Sequence, residues 1–89
     1  MTVSECIKNF VATNNDGYKV YENYSGRDMF GRTCLGVIIK KGYSYMDFLV
    51  KLTQYLSDNN IDDTDLELEG ADVDDLGLDT IVYFPRIES

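Results

Sequence analysis

The sequence predicts a small α+β domain, a two-layer sandwich of elements ordered α-β-β-α-β-β with an antiparallel sheet of about four strands and both helices on one face. Three observations lead there. Two segments carry apolar residues at helical spacing, four alternate or run apolar as strands do, and no repeat, linker or low-complexity tract separates them. Residues 1–89 thus make one domain with room for a single core. Its centre is the hairpin Tyr18 to Lys41, whose second strand holds the densest apolar run in the chain.

Taken in order, Thr2 to Thr13 spaces Val3, Cys6, Ile7, Phe10 and Val11 along one helical face, and Thr2-Val3-Ser4-Glu5 fits a capping box. Asn14-Asn15-Asp16-Gly17 ends that helix, with Gly17 or an Asn free to take positive φ. The first strand, YKVYENY, sets Tyr18, Val20 and Tyr24 against Lys19, Tyr21 and Asn23, an alternation that suits a sheet with one covered face. The loop from Ser25 to Gly31 leads to RTCLGVIIKK, apolar on both sides and so a central strand. Gly36 within it marks a bulge or a close approach by another backbone.

Gly42 ends the hairpin. Ser44 is placed to cap a second helix, with Asp47 in its first turn, and Tyr45, Phe48, Leu49, Leu52 and Leu56 share one face until Asp58-Asn59-Asn60. Asp65-Leu66-Glu67-Leu68-Glu69 alternates as a half-buried strand with its acids outward. Gly70 to Gly77 reads as a loop, Asp79 to Phe84 as the last strand, and Pro85 as its end.

Charge is the most uneven property of the chain. Net charge is −8, yet Asp58 to Asp79 holds ten acids and no basic residue, while the remainder has eight basic residues against six acids. Phosphates would be repelled from such a segment, so direct nucleic-acid binding is not expected. A protein partner with a basic surface is the natural complement. The candidate contact residues are Asp62, Asp63, Asp65, Glu67, Glu69, Asp72, Asp74 and Asp75, with Arg27 and Phe30 of the hairpin loop as a second set. That loop has two readings: an exposed tip with Phe30 as anchor and Arg27 forming bidentate contacts, or a turn whose Met29 and Phe30 fold back over the core. The acidic run likewise could be a solvated face that only keeps the protein soluble.

Enzymatic chemistry is not expected. The chain has no histidine, which removes Ser-His, Cys-His and His-ligated metal sites, and the acids lie in polar sequence where a raised pKa has no source. No catalytic residue, metal ligand or cofactor is assigned. Asp58, Asn60, Asp62 and Glu69 resemble an EF-hand calcium loop in their spacing. Asp63 stands where that loop needs Gly, however, and Gly70 follows where a second helix should begin. The departures favour an acidic strand entered from a helix end.

Cys6 and Cys34 are too few for a disulfide framework and read as buried thiols of a reducing cytoplasm. No window suits a membrane span or a secretory leader. In overall character, a short, acidic, histidine-free domain without a catalytic constellation resembles the small inhibitor proteins of bacteriophages and mobile elements, the anti-CRISPR proteins among them. That resemblance implies a stoichiometric inhibitor in the cytoplasm of a bacterial host cell, whose carboxylates mimic DNA and occupy a nucleic-acid-binding effector. It carries no residue over. The alternatives are an accessory interaction domain, a homodimer through an uncovered sheet edge, and a calcium-binding module.

Overall fold

The computed structural model describes residues 3–25, 31–61, 71–85 and 87. Two helices, α1 (Val3–Thr13) and α2 (Tyr45–Asp58), pack with four strands: β1 (Tyr18–Tyr24), β2 (Cys34–Ile39), β3 (Asp72–Leu76) and β4 (Asp79–Phe84). The sheet is antiparallel throughout, in the order β1-β2-β4-β3. This is the expected α+β domain. Among the described residues no helix is long and apolar enough to cross a membrane.

The helical stripes meet the sheet as their spacing requires. Cys6, Ile7, Phe10 and Val11 of α1 and Phe48, Leu52 and Leu56 of α2 are buried against Tyr18, Leu35, Val37, Ile39, Val82 and Phe84. The Phe10 ring lies among Tyr18, Phe48 and Tyr55, with centroids 5.3–6.3 Å apart. Ser44 caps α2 as read, its Oγ accepting a long 3.5 Å bond from the Asp47 amide. Tyr45, on the apolar side of α2 by spacing, stays exposed at its first turn.

Three expectations are corrected, and a fourth falls outside the described residues. The end of α1 uses no positive φ at residues 14–17; instead Thr13 Oγ1 and Asn14 Nδ2 both donate to the Phe10 carbonyl, satisfying a helix-end acceptor by side chains. The stretch 70–77, read as a loop, contains strand β3, because Gly77-Leu78 forms a two-residue turn that folds 72–76 back onto β4. Asp65–Glu69, read as a strand, lies outside the described residues. Lastly, Tyr24 does not share a face with Tyr18 and Val20.

The physical reason for that last point is a β-bulge. Tyr21 pairs with Gly36 and Tyr24 with Cys34, so β1 spends three steps where β2 spends two, and Asn23 takes φ 57° to absorb the extra residue. The bulge keeps Tyr24 on the face of Tyr21, away from the helices. A second buried cluster forms there from Tyr24, Cys34, Ile81 and Tyr83, with Ile38 beside it, so the sheet buries apolar side chains on both faces rather than one. Gly36 explains itself at the same place: a Cβ there would stand 2.8 Å from Ile81 Cδ1, so the close approach is by a side chain.

Candidate functional site

The acidic strand β3 is an edge strand, paired only to β4 among the described strands. Register decides where each carboxylate goes. Asp72 lies opposite Tyr83 and Asp74 opposite Ile81, which places both on the face away from the helices; Asp75, opposite Thr80, lies on the helix side. Alternation along a strand sets same-face carboxylates about 7 Å apart. Asp72 and Asp75 are exposed and Asp74 is half-buried. Acids along an edge that no other described strand pairs also discourage strand addition by an indiscriminate neighbour.

Asp74 has a structural task. Tyr24 Oη donates to its Oδ2 at 3.2 Å and the Asp75 amide donates to its Oδ1 at 2.9 Å, so both carboxylate oxygens are engaged within the domain. Tyr24 belongs to β1, at the opposite edge of the sheet. Its ring crosses the second face, 5.0 Å from Tyr83 and 5.5 Å from Tyr21, and ties the two edges together. Burial first, then the Asp74 carboxylate, pushes the Tyr24 hydroxyl up to about 12. This residue escapes a reading by alternation, because the bulge inverts its face. The one hint in the sequence is Asn23, a residue type that tolerates positive φ.

Of the residues singled out for partner contact, Asp72, Asp74 and Asp75 are thus brought together on one edge strand. Asp62, Asp63, Asp65, Glu67, Glu69, Arg27 and Phe30 lie outside the described residues. So does most of the calcium-loop pattern. Among the described residues no group of three metal-ligating side chains converges. Cys6 and Cys34 are buried and free, on opposite faces of the sheet, and burial pushes both thiols up.

Away from β3 the charge is differently arranged. Lys8 pairs with Glu22 at 2.9 Å and Lys51 with Asp47 at 3.5 Å, both at the surface, where such pairs contribute little to stability. The Lys40 ammonium donates to the Asn15 carbonyl, and the Lys41 amide to Asp79. Strand β3 thus presents exposed carboxylates at one edge of the described sheet, Asp72 on one face and Asp75 on the other. Comparison with protein-family models, curated proteins and solved structures finds no match to this chain.

Proposed function

We propose that this domain is a stoichiometric protein-binding inhibitor whose acidic edge occupies a Lys- and Arg-rich, nucleic-acid-binding surface of its target. One observation carries the proposal: Asp72 and Asp75 project from a strand that is hydrogen-bonded along β4 and anchored through Asp74 to Tyr24. A backbone held this way loses little freedom on binding, and it offers negative charge on both sides of one edge strand. Asp72 and Asp75 make the contacts in this reading, and Asp74 positions the strand. Such pairs contribute specificity and association rate more than bulk affinity. The anti-CRISPR-like role is the specific form of the proposal, with a nucleic-acid-guided effector as target.

The test uses the wild-type domain and the doubly reversed variant Asp72→Lys/Asp75→Lys, whose positions are exposed and so leave the core intact. Each is immobilised to capture a partner from bacterial lysate, and the captured protein's nucleic-acid binding is titrated with the domain. Capture by wild type alone, with nucleic acid displaced at one domain per partner, is the expected outcome. Equal capture by the reversed variant, or a partner that holds its nucleic acid undisturbed, refutes it.

A further inference from the structure

We infer that Asp16 is a site of spontaneous covalent modification, where the aspartyl bond converts to isoaspartate through a cyclic imide and loosens the turn between α1 and β1. Asp16 is the one aspartate of the chain followed by glycine, and no asparagine is. Glycine matters because it has no side chain to shield its amide nitrogen from the preceding carboxyl group. The reaction needs no enzyme or cofactor. Nucleophile and electrophile are joined by a short tether, the arrangement that favours ring closure.

The fold explains why this step is present. Gly17 does not take positive φ, so it does not serve a left-handed turn. It serves for space: a Cβ at residue 17 would overlap the ring of Tyr43, which meets Tyr18 edge-on with centroids 5.8 Å apart. Packing thus bars any residue whose side chain would shield the nitrogen.

Both reacting groups are available. Asp16 is exposed in the turn. Among the described residues no hydrogen bond engages the Gly17 amide, and no donor or cation engages the Asp16 carboxylate. The groups that are held lie to either side. Lys40 Nζ donates to the Asn15 carbonyl at 3.1 Å, and the Lys40 amide donates to the Gly17 carbonyl at 2.9 Å. The reacting segment hangs between these two fixed points with nothing tying its middle.

The Gly17 nitrogen bonds to Asp16 Cγ, and its hydrogen leaves with the carboxyl hydroxyl as water. Water then opens the imide at either carbonyl, restoring the atoms of the starting peptide. Opening at the main-chain carbonyl routes the chain through Cβ and Cγ and leaves the α-carboxylate as the side group. The main chain is then one atom longer, so the two Lys40 bonds and the Tyr43 packing cannot all be kept. The inference does not depend on the proposed function.

The test stores the whole folded protein for several weeks in warm, mildly acidic buffer, beside a synthetic peptide spanning residues 12–21. Peptide mapping and labelling by an isoaspartyl methyltransferase locate the product. The expected result is a species lighter by one water, then isoaspartate at residue 16 above that at any other acid. It should lack the mass gain that deamidation of Asn14 or Asn15 brings. Asp16→Glu, whose side chain is one atom too long to close the same ring, should lose the signal and keep the wild-type unfolding curve. The separated isoaspartyl form is expected to unfold at lower urea. Residue 16 staying aspartyl in the folded protein overturns the inference, and conversion in the peptide alone would assign the protection to the fold. Equal conversion at another aspartate, or a signal that Asp16→Glu retains, also overturns it. An isoaspartyl form with the wild-type urea midpoint overturns the loosening of the turn.

Discussion

Tyr24 shows how much one side chain can depend on its neighbour's backbone. Asn23 accommodates the bulge, the bulge turns Tyr24 over, and only then can its hydroxyl reach Asp74 across the sheet. Because the folded-state pKa of about 12 exceeds the unfolded value of 10, the neutral phenol is favoured in the fold. This stability is fully present below pH 10 and is lost as pH rises from there through 12. Tyr24→Phe is therefore expected to cost about 1–3 kcal/mol at neutral pH, as loss of a hydrogen bond to a charged group. It should also flatten the alkaline fall in stability, as read by urea melts between pH 8 and about 11.5. A variant with the wild-type alkaline slope would show that Tyr24 does not set it. Gly36 makes a second residue-scale prediction. Gly36→Ala drives a methyl into Ile81 and should cost about 1–3 kcal/mol. Adding Ile81→Val removes the clashing Cδ1, so the double variant should be more stable than the sum of the two singles.

At the scale of elements, the β3–β4 hairpin is where a local rule decides most. Gly77 sits at φ 74°, a conformation that costs a β-branched residue about 1–3 kcal/mol. Gly77→Val should lower the melting midpoint by that amount, whereas Gly77→Asn, better suited to positive φ, should lower it less. Equal losses would locate the turn's requirement elsewhere. Helix α2 is held by its core face, and Leu52→Ala should cost about 2–5 kcal/mol in chemical unfolding because the fully buried site cannot collapse. Most elements were legible in their residues. The helices and β1, β2 and β4 follow from apolar period, and Ser44 marks the start of α2. β3 was not, since Asp72-Val73-Asp74-Asp75-Leu76 lacks clean alternation. Its clue was the Gly-Leu pair directly before the Asp79–Phe84 strand.

For the whole molecule, the governing feature is the concentration of acid that includes the β3 edge: residues 58–79 carry ten acids and no basic residue, against eight basic residues and six acids elsewhere. Binding through that edge should weaken steeply as salt rises from about 50 to 500 mM, where the screening length falls from above to below 10 Å. Partner-binding titrations repeated across that range measure the effect. A salt-insensitive partner affinity would remove the electrostatic basis of the proposed function.

Composition and periodicity by themselves determined the class of fold, the helix faces that enter the core, and the concentration of acid toward the C-terminal part of the chain. These depend on near-neighbour spacing, which a linear string preserves. The tertiary structure alone decided that β4 inserts between β2 and β3, that Asp72 and Asp75 point to opposite faces of an edge, and that Tyr24 ties that edge to β1. Each of these depends on register between strands distant in sequence, and a single extra residue in β1 was enough to change which face a side chain joins.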